Sequence, residues 1–158
     1  MSVERVPITP NGFKKLREEL VRLISVERPQ IIKMIEFARS LGDLSENAEY
    51  DTAKDRQGYI EAKIQELKSK IARAEVIDPS KLPEKDRVMF GVRVTLEVIE
   101  TGETVTYQLV GPDESEPENG LISVVSPIGR ALLGKRVDDE ARVHTPGGIR
   151  EFVILEIE

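Results

Sequence analysis

The sequence contains no cysteine and no tryptophan, and His144 is its single histidine among 158 residues. Without cysteine there is no disulfide, no thiol nucleophile and no thiolate metal site. One histidine cannot supply the imidazole sets of the usual catalytic zinc centres. Aromatic residues make up only 4%, three Tyr and four Phe, so an aromatic-lined pocket is not expected. No apolar run approaches the length that crosses a membrane. The first residues, Met1-Ser2-Val3-Glu4-Arg5, lack the apolar stretch of a secretory signal. A cytoplasmic location is expected from these absences. An excess of positive charge is also missing, with 23 Lys+Arg against 29 Asp+Glu and a net charge of −6. Residues 1–75 balance near neutrality and residues 76–158 are acidic, so neither half grips nucleic acid by charge alone.

What the chain does contain is helix periodicity followed by strand periodicity. Hydrophobic residues amount to 39%, enough to build a core. Thr9-Pro10 reads as an N-cap with proline at the first helical position. Phe13, Leu16, Leu20 and Leu23 then recur at spacings of 3, 4 and 3. Ile31, Met34, Ala38 and Leu41 continue the rhythm one residue out of phase, so the apolar seam shifts near Pro29. The expectation is one long bent helix over about 10–42, stopped by Gly42. Ala53, Gln57, Ile60, Ile64, Leu67, Ile71 and Ala74 form a heptad seam in a second helix, ended by Asp78-Pro79. Two such helices joined by a short turn pack antiparallel as a coiled-coil hairpin, and 33 helical residues reach roughly 50 Å.

From residue 88 the period becomes two. Val88, Phe90, Val92, Val94, Leu96 and Val98 alternate with their neighbours and predict a long half-buried strand. Further strands are expected at 105–109, 121–125, 141–145 and 150–157. Ser126-Pro127 should open a short helix that Gly134 stops. The last strand is apolar on both faces, so it should be central. The fold class is α+β, with residues 1–78 as the hairpin, its acidic tip at 42–51, and 79–158 as a small, mostly antiparallel sheet domain with one helix.

The candidate chemistry lies at the tip. Gly42-Asp43-Leu44-Ser45-Glu46-Asn47-Ala48-Glu49-Tyr50-Asp51 carries four carboxylates at the far end of the rod. One reading is structural: Asp43-x-x-Glu46 fits a capping box, and acids suit a helix N-terminus. The other is that Asp43 and Glu46 lend oxygen ligands to Mg²⁺, which completes its shell with other ligands. Two exposed carboxylates bind Mg²⁺ weakly alone, so a second molecule would have to complete the site. Arg39, Lys54 and Arg56 flank the tip, either as ordinary solvated helix surface or as contacts for an RNA phosphate. Gly147-Gly148 stands between strands and reads as a turn, and His144 reads as a structural or surface residue.

The nonapeptide Gly42–Tyr50 resembles the hairpin tip of the bacterial Gre transcript cleavage factors, the GreA/GreB family. The resemblance extends through Ile8-Thr9, Leu16-Arg17-Glu18-Glu19-Leu20, Arg28-Pro29, Gln57-Gly58, Ala74-Glu75-Val76-Ile77-Asp78, Leu121–Ile128, Gly134-Lys135 and Thr145-Pro146-Gly147-Gly148. The modest basic content favours the GreA branch over the more basic GreB branch.

The resemblance implies an FKBP-like C-terminal domain that docks at the secondary channel of bacterial RNA polymerase. It implies a monomeric factor, not itself an enzyme, whose hairpin enters the channel of the DNA-bound elongation complex. Residues matching Asp43 and Glu46 would help hold the second catalytic Mg²⁺, and the polymerase would cleave backtracked nascent RNA near its 3′ end. Two rivals stay open here: a channel-blocking inhibitor, and a coiled-coil binding module whose tip is only a cap.

Overall fold

The computed structural model describes residues 4–43, 47–81 and 86–158. The chain divides into two compact units, one formed by Lys14–Arg73 and the other by the segment through Phe13 together with Ala74–Glu158. The α+β class and the hairpin-plus-sheet organisation agree with expectation. By their contacts, both ends of the hairpin segment group with the sheet-bearing unit. Within that unit, the Thr9 N–H and hydroxyl donate to the Glu114 carboxylate. β1 (Val6–Ile8) pairs in parallel with β2 (Ala74–Val76), Val6 opposite Ala74 and Ile8 opposite Val76.

In the helical unit, helix runs without a break from Pro10 to Ser40, as α1 (Pro10–Arg22), a π-turn (Leu23–Glu27) and α2 (Arg28–Ser40). The π-turn explains the shift of the seam. Pro29 has no N–H for the carbonyl of Ser25, and its ring crowds that carbonyl. The chain widens one turn instead, and the Arg28 N–H donates to the Leu23 carbonyl five residues back. The extra residue rotates everything after it by one position.

The buried seam is therefore Leu23, Ile31, Ile35 and Ala38, with Leu16 and Leu20 half-buried. Met34 and Leu41, expected in the seam, are exposed. Opposite stands α3 (Ala48–Arg73), whose Ala53, Ile60, Ile64 and Leu67 are buried as their heptad spacing requires. Gln57 and Ile71 are half-buried, and Ala74 already belongs to β2, so the helix stops before Asp78. At 1.5 Å per residue, the 26 residues of α3 span about 39 Å. Arg28 clamps Glu61 across the hairpin through two hydrogen bonds of 2.8 and 2.9 Å.

The sheet-bearing unit has five strands beyond the β1–β2 pair: β3 (Arg93–Val98), β4 (Thr104–Val110), β5 (Leu121–Ser123), β6 (Glu140–Thr145) and β7 (Gly148–Ile157). Their order is β5-β4-β3-β7-β6, antiparallel except for the parallel β4–β5 pair. β7 lies between β3 and β6, the central place its apolar faces implied. α4 (Pro127–Leu132) is capped by the Ser126 hydroxyl, which accepts from the Gly129 N–H at 3.1 Å. Leu132, Phe152, Ile154, Leu96 and Val94 form the centre of the core.

Two features depart from the simple alternation. The strand expected from residue 88 begins only at Arg93. Gly91 takes φ +86 against the Pro79 ring, where a Cβ would approach Pro79 to 2.5 Å. Val88 remains buried because it exchanges backbone hydrogen bonds with Lys135 and Gly134. In β7 the register slips beside Leu96, so one extra residue bulges. That slip brings Ile157 onto the core alongside Phe152 and Ile154.

Candidate functional site

The turn between α2 and α3 is built from local signals at both ends. α2 ends when Gly42 enters the positive-φ region at +112, which suits glycine just past a helix. The Leu41 and Gly42 N–H groups fall back on the carbonyls of Ala38 and Arg39 at 3.2 and 3.3 Å. α3 begins at Ala48, and its cap is Asn47. The Asn47 Oδ1 accepts the Tyr50 N–H at 3.1 Å, the pattern of an N-cap side chain. The same amide donates from Nδ2 to the Ala38 carbonyl at 2.6 Å, tying the start of α3 to the end of α2.

The capping box expected from Asp43 to Glu46 is thereby displaced: the helix starts at Ala48, two residues beyond Glu46, so Asp43 stands too early to cap it. Asn47 belongs to the same nonapeptide, yet nothing local separates it from Asp43 as a cap. Its tie across the turn to Ala38 decides the matter.

Asp43 is exposed and shares a concavity of about 440 Å³ with Leu41, Asn47, Ala48 and Glu49. Glu46 lies outside the described residues. Glu49 and Asp51 sit in the first turn of α3, where acids offset the helix dipole. Among the described residues no group of three or more His, Asp and Glu could hold a metal by itself. The donors that are present are hard carboxylate oxygens on an open surface. They fit Mg²⁺ as part of a shared shell and do not make a closed site.

The three flanking cations do not form one patch. Arg39 is exposed in the last turn of α2. Lys54 donates to Gln57 Oε1 at 3.0 Å. Arg56 stands 3.9 Å from Glu27 and lies over the Tyr59 ring at 5.1 Å. Lys54 and Arg56 are two positions apart on a helix and point to different sides.

Beside the tip, Met34, Phe37, Ala48, Thr52 and Ala53 line an apolar groove of about 530 Å³, with Lys33 and Glu49 at its edge. Phe37 is 61% and Met34 55% exposed. Apolar spacing alone hides this groove, since it places Met34 in the seam; only the π-turn turns that face outward. In the sheet unit, His144 lies on β6 and lines a smaller hollow of about 260 Å³ with Ser126, Pro127, Ile128 and Pro146. Gly148 takes φ +124 in a plain hairpin turn.

Comparison with known proteins covers both units. Residues 6–76 match the family model described as transcription elongation factor, N-terminal. Residues 83–158 match the model described as transcription elongation factor, GreA/GreB, C-term. The chain is 55% identical over 156 residues to transcription elongation factor GreA of Desulfotalea psychrophila, covering 99% of this chain and 96% of that protein. It is 51% identical to the GreA of Syntrophotalea carbinolica, covering 98% and 97%. Among solved structures, GreA factor homolog 1 of Thermus thermophilus is 29% identical, with a TM-score of 0.45 over 98% of this chain and 99% of that one. With both halves matched in order and half the residues identical over nearly full length, the chain belongs to the GreA/GreB family of transcription elongation factors.

Proposed function

We propose that this chain binds bacterial RNA polymerase, with the sheet-bearing unit docking at the secondary channel and the hairpin entering it. The tip then reaches the active site, where Asp43 and Glu46 help the polymerase cleave backtracked nascent RNA. The chain acts as an accessory that activates the polymerase's hydrolysis, and it works in the cytoplasm as a monomer.

The observation that supports this most directly is the cap on α3. The N-cap of α3 is Asn47, whose Oδ1 accepts the Tyr50 N–H, and Asp43 is exposed before it. An exposed carboxylate at the end of a hairpin whose α3 spans about 39 Å has little value as a stand-alone site. It has value where a partner supplies the rest.

Asp43 and Glu46 would hold Mg²⁺ jointly with polymerase ligands, and the ion when bound supplies a polarised water and charge neutralisation at the phosphate. The chain's own residues carry out the remaining tasks. The Asn47–Ala38 bond ties the start of α3 to the end of α2. Arg39 and Lys54, on either side of the turn, offer charge to an RNA phosphate. Arg56 is engaged with Glu27 and Tyr59 instead.

The test replaces carboxylates by amides of the same shape. Asp43→Asn and Glu46→Gln should leave melting and polymerase binding near the parent's. Each should remove most stimulation of transcript cleavage in a stalled elongation complex, and raised Mg²⁺ should restore part of it. Near-normal cleavage by the double variant at low Mg²⁺ would sink the reading and leave the binding-module rival.

A further inference from the structure

Met34, Phe37 and Leu41 recur on α2 at spacings of 3 and 4, the rhythm of a helix face that packs. All three are exposed, by 55%, 61% and 54%. The hairpin closes its own seam with a different set, Ile31, Ile35 and Ala38. The second stripe is left over. Met34 and Phe37, with Ala48, Thr52 and Ala53 of α3, wall the groove of about 530 Å³ beside the tip. An apolar face of this kind marks a surface that another molecule covers.

The charges at the edge of the groove decide what fits it. Lys33 stands on α2 and Glu49 on α3. Among the described residues neither side chain makes a hydrogen bond or an ion pair, whereas Lys14, Lys54, Lys63 and Lys70 on the same hairpin each have a partner. One apolar groove thus carries one unused charge of each sign. Such a surface is complementary to itself. A two-fold rotation sets Lys33 of each copy on Glu49 of the other, as an isologous contact requires. Lys33 lies two turns before the end of α2 and Glu49 in the first turn of α3, so the rotation overlaps the last turns of two hairpins that point opposite ways. Residues 1–75 balance near neutrality, so the two hairpins approach without the repulsion an acidic surface would impose.

We propose that this groove binds a second copy of the same chain, with two Lys33–Glu49 pairs flanking Met34 and Phe37. The contact is small: seven residues line the groove, against about 20–30 on each side of a stable interface. Pairing is therefore weak and concentration-dependent, and the chain enters polymerase as a single copy. Ala48 and Glu49 also line the concavity that holds Asp43, so the pair shields the tip carboxylate. That consequence rests on the reading that the tip works inside polymerase.

Sedimentation velocity of the full chain from about 10 µM to about 1 mM should show a reversible monomer–dimer equilibrium, with Kd on the order of 0.1 mM. Phe37→Ser, at an exposed position, should weaken it about tenfold or more. Lys33→Glu and Glu49→Lys should each bring like charges together and weaken it by a similar factor. A one-to-one mixture of these two variants restores opposite charges at both contacts and should dimerise as the parent does. A damaged fold cannot produce that recovery. A parent that stays monomeric at every concentration would overturn the inference and leave the groove to RNA or to a polymerase segment. Dimerisation that both charge variants leave intact, or that their mixture fails to restore, would overturn it too.

The chain has no cysteine, so single thiols report the contact directly. Lys33→Cys and Glu49→Cys chains, oxidised together with copper–phenanthroline, should cross-link in the mixture and far less when either is alone. The cross-linked dimer should stimulate transcript cleavage only after reduction. Equal stimulation before and after would overturn the shielding of the tip. A parent chain that stimulates no cleavage would overturn the proposed function instead, and sedimentation would still decide the pairing.

Discussion

Gly58 sits in the interior of α3, exposed, with nothing within 4 Å of where a Cβ would stand. A glycine there costs about 0.5–1 kcal/mol of helix stability relative to alanine. Gly58→Ala should therefore raise the melting midpoint by about 1–4 °C. An unchanged or lowered midpoint would show that the site needs glycine for a reason outside helix propensity. The helix caps differ in how far single residues disclose them. Thr9-Pro10 and Ser126-Pro127 were legible because an N-cap is settled within four residues, and both hydroxyls accept the expected N–H. The cap of α3 was not legible, because Asp43 and Asn47 are equivalent by local chemistry. A bond to Ala38 in the other helix chose between them. The tip residues were singled out by the nonapeptide's resemblance, while the exposure of Met34 and Phe37 beside them depends on a backbone feature upstream.

That feature, the π-turn, belongs to the scale of the element. The phase slip was visible in the spacing of apolar residues, but spacing cannot say which turn absorbs it. If Pro29 is the cause, deleting Val26 should straighten the seam and drive the ring against an ordinary α-turn carbonyl, at a cost of about 3 kcal/mol. Combining the deletion with Pro29→Ala should recover most of that loss. Equal melting points for the two variants would assign the wide turn another origin. The charged pairs along the hairpin make a second prediction. A hydrogen bond from Arg28 holds the Glu61 carboxyl below its ordinary value of 4.5. Arg22 acts likewise on Glu19, and Lys70 on Glu66. A depressed carboxyl stabilises the fold above its unfolded pKa and loses that contribution as pH falls through the folded one. Helix content followed by circular dichroism should then drop as pH falls below about 4.5. Glu61→Gln should flatten part of that dependence, modestly because the pair is exposed. A pH profile identical to the parent's would mean the pair contributes nothing in solution.

At the scale of the whole molecule, the strands β1 and β2 alter where the chain can be cut. Three-residue strands carry no usable periodicity, and their pairing spans the entire hairpin, so neither was legible in the sequence. A fragment comprising residues 79–158 forfeits that pair and the Thr9–Glu114 bonds. A fragment joining residues 1–13 to 74–158 through a short Gly/Ser linker keeps both. The second should melt higher and compete better with the full chain for polymerase; indistinguishable fragments would show that β1 adds nothing to the docking unit. The Thr9–Glu114 bond also orders events during synthesis. Thr9 waits for a partner made 105 residues later, roughly 5–20 s at bacterial elongation speeds. The helices between them close on local contacts long before that, so the nascent hairpin forms first. Thr9 and the neighbouring strand β1 are then among the last segments to reach their native places.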